Sequence, residues 1–172
     1  FHVHSFDGMG YSVLYGSPVV HAAQMQKSGA SLEEILQYLT EILPRRQICV
    51  GIYDLKYASK SGRIPSLAAF LATKLNLKPI MKAFNCSVIT AAKCRGERNL
   101  LEKIVQLSIL DMEPGSPYEL VYGNDCTCLQ ELSQLMTQQL GYAPKSTCQI
   151  GAAIASNCGP KVAGIAFNRK SS

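Results

Sequence analysis

No stretch of this chain approaches the roughly 20 consecutive apolar residues that cross a bilayer, and no basic, apolar, small-residue leader opens it. These absences predict a soluble protein without a transmembrane segment. The seven cysteines, Cys49, Cys86, Cys94, Cys126, Cys128, Cys148 and Cys158, are odd in number, scattered and never spaced Cys-x-x-Cys. That pattern argues against a disulfide framework and a structural zinc site, and it fits a reducing, cytoplasmic setting. Histidine is scarce too. His2, His4 and His21 all fall in the first 21 residues, and no Gly-x-Ser-x-Gly elbow occurs, so a Ser or Cys nucleophile has no visible base. Catalysis by this chain alone is therefore not expected. The Gly8-Met9-Gly10 turn has Val13 where a third glycine would complete a dinucleotide loop, and no Gly-Lys-Ser/Thr follows. His2 and His4 would share a strand face near Asp7, yet no third convincing ligand accompanies them, and neither a metal nor another cofactor is expected.

What the chain does have is enough length and apolar content, 172 residues at 47% hydrophobic, for one well-buried domain or one domain with a piece of another. Its net charge of +5 is unevenly spread. Residues 45–103 hold 12 Lys and Arg against 3 Asp and Glu, while residues 1–44 sum to −3, 104–144 to −5 and 145–172 to +4. A cation-rich stretch built around Ser61-Gly62-Arg63 and Lys93-Cys94-Arg95 reads as a site for phosphate, carboxylate or an acidic partner, or equally as a solvated basic face. A basic nucleic-acid-binding module is an alternative, but no recognised motif or regular aromatic interleaving supports it, and nucleic acid is not expected as a partner.

Phe1 to Ser5 alternates apolar and polar positions and reads as a strand with no lead-in, as though the sequence began in the middle of a fold. A helix is predicted over 18–27, stopped by Gly29. Ser31-Leu32-Glu33-Glu34 is a capping box, and Leu32, Ile35, Leu36, Leu39, Ile42 and Leu43 follow at helical spacing up to Pro44. Gln47 to Tyr53 reads as a strand, 54–61 as a helical turn, and Pro65 as the first turn of a helix with Leu67, Phe70, Leu71 and Leu75 on one face. Strands over 78–84 and 87–92 meet at Asn85-Cys86 as a hairpin. A helix follows over 98–111, then a strand over 118–122, then a helix capped by Thr127-x-x-Gln130 and closed by Gly141. Two strands rich in small residues, 147–156 and 162–167, end the chain. Strands stripped of bulk leave room for a helix or ligand to approach.

The order Ser61-Gly62-Arg63-Ile64, Leu75-x-x-Lys78-Pro79-Ile80, Lys93-x-Arg95, and Gly159-Pro160 followed by Gly164-Ile165-x-Phe167 resembles the DegV family of bacterial fatty-acid-binding proteins. The opening strand with Ser5, the glycine-rich turn and the run Lys27-Ser-Gly-Ala-Ser-Leu-Glu-Glu extend the resemblance over nearly the whole chain. It implies an α/β (α+β), DegV-like fold: an antiparallel sheet with flanking helices, preceded by the tail of a parallel-sheet domain. Residues 1–44 would end a first α/β domain that is mostly missing here, and 45–172 would form the second. It further implies that a long-chain fatty acid, such as a palmitate-type chain, lies in an apolar tunnel between two domains. Its carboxylate would be presented to a separate fatty-acid kinase. A kinase- or transferase-related enzyme component is the alternative within that setting.

An apolar tunnel could be lined by Leu67, Phe70, Leu71, Ile80, Ile154, Ile165 and Phe167, each of which also reads as plain core. Arg63, Lys93 and Arg95 would form a basic rim for the partner, with Arg95 favoured over Lys93 for its planar fork. The chain departs from the family pattern in three places. Ser61 stands where a second glycine is common before the Arg, and Lys161 stands where a glycine usually follows the late Pro. Asn157 stands where the family often has a histidine near the lipid carboxylate. Asn157 could donate a hydrogen bond there but carry no charge, or could merely stabilise its own turn.

Overall fold

The computed structural model describes residues 2–61 and 77–171. Two helices come first, α1 (Val13–Lys27) and α2 (Leu32–Ile42), and a 3-10 turn, Leu43–Arg45, follows them. The rest runs β1 (Arg46–Ile52), α3 (Leu55–Ser61), β2 (Leu77–Phe84), β3 (Ser87–Arg95), α4 (Glu97–Asp111), β4 (Tyr118–Tyr122), α5 (Leu129–Leu140), β5 (Ser146–Gln149), α6 (Ala152–Cys158) and β6 (Val162–Asn168). The strands form one six-stranded sheet in the order β3-β2-β1-β6-β4-β5. Every pairing is antiparallel except β4 with β5, which is parallel. The exception follows from connectivity, because α5 carries the chain across between those two strands and returns it in the same direction. No helix among the described residues is long and apolar enough to cross a membrane.

Side chains alternate between the two sheet faces. On one face Cys49, Ile80, Tyr118, Leu120, Ile165 and Phe167 are packed by Leu100, Leu101 and Ile104 of α4 and by Leu132 and Met136 of α5. The opposite face is covered in two places. Val13 and Leu14 of α1 sit over Ala83, Val121 and Ala166, and Ala58 of α3 with Cys158 of α6 sits over Ile52, Met81 and Val162.

Helix α1 starts earlier than predicted and holds Pro18 in its interior. An interior proline costs a helix about 3 kcal/mol, and burying Val13 and Leu14 at about 1.5–3 kcal/mol each offsets it. Helix α2 opens with the predicted capping box. Glu34 N–H donates to Ser31 Oγ at 3.2 Å, and Ser31 N–H donates to Glu34 Oε2 at 2.7 Å. Despite its regular apolar stripe, none of its residues is buried.

Three other expectations are corrected. Residues 2–9 carry no helix or strand, and 2–7 are exposed; among the described residues no strand pairs with them, so His2 and His4 share no strand face. Thr127 does not cap α5. The N-cap is Cys128, and the Thr127 N–H donates instead to Asp125 Oδ1 at 2.9 Å. The predicted strand over 147–156 divides into β5 and α6, since Gly151 takes the N-cap position and Ala152, Ala153 and Ala155 are strong helix formers.

The charge segments pair with one another. Arg45 meets Glu113 at 2.5 Å, Arg46 meets Glu119 at 2.5 Å and Lys82 meets Asp111 at 2.7 Å. In each pair the cation comes from the basic stretch and the carboxylate from the acidic one. The Arg46–Glu119 pair is buried on the α1 side of the sheet, with side chains only 5% and 3% exposed. Ser17 Oγ of α1 donates to Glu119 Oε1 at 2.5 Å, and Arg46 also donates to Asn168 Oδ1 at 3.1 Å.

Candidate functional site

On the α1 side, half-buried Val50, Cys148 and Ile150, with Ile154 of α6, pack against the two covered patches, and the buried Gly164 of β6, paired with Val50, makes the floor of the sheet there. Gly164 keeps that floor low. A Cβ there would lie 2.7 Å from the Cys49 carbonyl oxygen and 3.0 Å from Val50 Cβ, so the position excludes any side chain. Ile154 lies on this side, half-buried on α6. Ile80, Ile165 and Phe167 are completely buried on the other face under α4 and α5, so the sheet stands between them and Ile154. Leu67, Phe70, Leu71 and Arg63 lie outside the described residues.

Asn157 lies in the last turn of α6 rather than in a turn after a strand. Its Nδ2 donates to the Ala153 carbonyl at 2.7 Å and stands 3.4 Å from Ser156 Oγ. The chain then turns at Gly159, whose φ of +90° suits glycine. Gly123 fixes the turn from the neighbouring strand, because a Cβ on it would fall 1.8 Å from the Pro160 oxygen, and the Asn124 N–H donates to that oxygen at 2.7 Å.

Lys161, just beyond this turn, anchors a cluster that sequence reading missed. Its Nζ lies 3.2 Å from Asp125 Oδ2, 3.6 Å from Glu97 Oε1 and 4.8 Å from the centre of the Tyr53 ring. Tyr53 OH donates to Glu97 Oε1 at 3.0 Å, and Lys78 Nζ stands 5.5 Å from the same ring. The Thr127 backbone N–H, the Thr127 side chain and Lys161 hold the Asp125 carboxyl down at about 2. Burial pushes the Tyr53 hydroxyl well up, with Cys128 and Glu97 adding to it. Partial burial works against the Lys161 ammonium, but its bonds to Asp125 and the charge of Glu97 outweigh that and raise it. The only sequence signal was a lysine where a glycine commonly follows the late Pro. The cluster ties together the end of β1, the start of β6, the start of α4 and the β4–α5 loop.

Lys93 and Arg95 are exposed on β3, at one edge of the sheet, with Cys94 between them turned toward the α4 side. Alternation therefore places both on the same sheet face as Ile154. Thiol chemistry finds no activated sulfur at the buried positions. Burial pushes Cys49 up to about 12 and Cys158 to about 11, and it also raises Cys94, Cys128 and Cys148; thiols raised in this way stay protonated at neutral pH and are poor nucleophiles. Among the described residues no group of three or more His, Cys, Asp or Glu side chains could hold a metal ion.

A family model described as an uncharacterised protein of the DegV family matches residues 1–170. The DegV domain-containing protein YteA of Lactococcus lactis is 26% identical over 159 residues, covering 91% of this chain and 55% of the relative. A Clostridium perfringens DegV domain-containing protein is 27% identical over 99% of this chain and 61% of the relative. The chain thus spans somewhat more than half the length of these curated relatives. Among solved structures, a fatty-acid-binding DegV family protein from Thermus thermophilus superposes with a TM-score of 0.81 at 26% identity, over 97% of this chain and 61% of that one. A stearic-acid-binding protein from Eubacterium ventriosum superposes at 0.83 with 20% identity, over 96% of this chain and 58% of that one, a likeness of fold.

Proposed function

Because this chain belongs to the DegV family, we propose that it is the second-domain part of a carrier that encloses one long-chain fatty acid. The likeness to the fatty-acid-binding protein of Thermus thermophilus carries this reading. The half-buried apolar side chains Val50, Ile150 and Ile154 beside Gly164 support it, since an alkyl chain needs an apolar wall. Each buried methylene contributes about 0.8 kcal/mol, so the tail supplies most of the affinity. Residues 1–44 form the end of a first α/β domain. The rest of that domain, in the part of the relatives' length that this chain does not match, covers the exposed apolar side chains of α1 and α2, such as Val19, Val20 and Leu32. The lipid lies between the two domains. In this reading Ile154 touches the tail, and Ile80, Ile165 and Phe167 support the sheet from behind. The protein presents the ligand rather than transforming it.

Extraction and mass spectrometry of the purified protein, made to the length of its relatives, tests the carrier. One bound long-chain fatty acid per chain is expected. Empty protein after growth on fatty acids, or bound nucleic acid, overturns the reading. Asn157 meets the carboxylate by exchanging its long bond to Ser156 Oγ for a neutral hydrogen bond of about 0.5–1.5 kcal/mol. Asn157→His should therefore tighten binding as pH falls through about 6.5, and an unchanged pH profile would leave Asn157 as a helix-end residue only. Lys93 and Arg95 form a rim on which an acidic fatty-acid kinase docks. Arg95→Ala should slow phosphorylation of the bound acid at low salt while leaving lipid occupancy intact, and loss of lipid with normal docking would reverse the assignment.

A further inference from the structure

A second concavity lies on the α4 side of the sheet, where α4 ends, on the face opposite the proposed lipid floor. It encloses about 290 Å³ and is lined by Gln47, Lys82, Phe84, Ile89, Asp111 and Arg169, with Leu110 and Lys170 at its rim. Three cations converge there against one carboxylate. Part of that charge has local work. Lys82 Nζ pairs with Asp111 at 2.7 Å, Gln47 Nε2 donates to the same carboxylate at 2.5 Å, and Lys170 Nζ donates to the Leu110 carbonyl at the negative end of the helix at 2.9 Å. Each ammonium keeps two further N–H donors. Arg169 is different. Its guanidinium stacks on the Phe84 ring at 4.5 Å, and among the described residues its side chain makes no hydrogen bond or ion pair. Stacking holds the planar fork in place, so little freedom remains to be lost when it binds an oxyanion. The walls beside it are apolar and open to solvent: Ile89 is 46% exposed and Leu110 61%.

We propose that this cavity binds a small amphipathic oxyanion, a carboxylate or phosphate on a compact aromatic or branched body. The anionic group sits on Arg169, with Lys82 and Lys170 beside it, and the body lies against Phe84, Ile89 and Leu110. The volume equals about ten water molecules of the liquid, room enough for a body of one ring with its anionic group. The one carboxylate of the site, Asp111, is already neutralised by Lys82. Burial alone would raise its carboxyl, but the Lys82 and Gln47 hydrogen bonds and the charges of Lys82 and Arg169 outweigh burial and hold it low. A second proton-free anion therefore meets a net positive cavity.

Titration of the isotope-labelled protein with phenylacetate, phenyl phosphate and the neutral 2-phenylethanol, followed by nuclear magnetic resonance, tests this. Saturable shifts at Lys82, Phe84, Asp111, Arg169 and Lys170 are expected with an anion and not with the alcohol. The tighter of the two anions identifies the headgroup. Arg169→Gln should weaken binding about tenfold or more. Leu110→Glu, at an exposed position that folding tolerates, should abolish it. Equal binding of the alcohol, unchanged affinity in Arg169→Gln, or no saturable shift at all overturns the proposal. So does displacement of the small anion by palmitate, which would make the cavity part of the lipid site.

Discussion

Arg46 and Glu119 stand 73 positions apart in sequence and meet in the sheet beneath α1, each with almost no contact with solvent. Removing one member of such a pair strands the other without water, at a cost of about 3–5 kcal/mol. Glu119→Ala should therefore lower the urea midpoint sharply, while the double replacement Arg46→Met with Glu119→Leu should cost much less. A single variant as stable as the parent would show that water reaches the site. Asp125 gives a pH signature instead. Its carboxyl is depressed from an ordinary value of about 3.9 to about 2, so it contributes stability that is fully present above pH 4 and is lost as pH falls toward 2. Asp125→Asn should be less stable than the parent at pH 5, and the gap should close by pH 2. A gap that persists in acid would assign the effect to the turn rather than to charge. Neither pair was legible in the sequence. Each charge was visible, but the pairing is made by strand order and loop approach, which no local pattern encodes.

At the scale of the element, local signals were read well and tertiary ones poorly. The Ser31–Glu34 box, the Gly141 stop and the Asn85-Cys86 hairpin are each written within a few residues, and each stands where the sequence puts it. The hairpin turn does so under strain, with φ of 45° at Asn85 and 58° at Cys86. Left-handed backbone costs a non-glycine residue about 1–2 kcal/mol, and Asn-Gly is the favoured pair for such turns. Cys86→Gly should stabilise the protein by about 0.5–1 kcal/mol after the added entropy of the unfolded chain is counted. It keeps the N–H that donates to the Met9 carbonyl at 3.0 Å. Chemical denaturation checks it, and a destabilised variant would mean that the thiol packs against something the turn needs. Alanine- and glycine-rich 151–155 was misread because small residues also suit a crowded strand, although Gly151 can cap a helix and Ala152, Ala153 and Ala155 favour one. The candidate site was half legible. Period-2 alternation says which residues share a face, but not which helices cover it, so Ile80, Ile165 and Phe167 could not be told from Ile154 in advance.

For the whole molecule, the decisive feature is where β6 lies. It pairs with β1 on one side, from Arg46 opposite Asn168 to Ile52 opposite Val162, and with β4 on the other. Three strands stand to one side of it and two to the other, yet it is made after all of them. A ribosome feeding this chain out from its N-terminal end must hold two half-sheets with open inner edges until the keystone strand emerges. Unpaired edges of this kind recruit other chains. Chains ended just before Val162 should accumulate as insoluble aggregates. Supplying residues 162–171 as a separate peptide during refolding should recover soluble protein, which light scattering would register. A soluble, folded truncation would mean that the halves close on each other. The order of the strands thus delays closure of the sheet until its last strand is made, and makes protection of the open edges until then a requirement written into its topology.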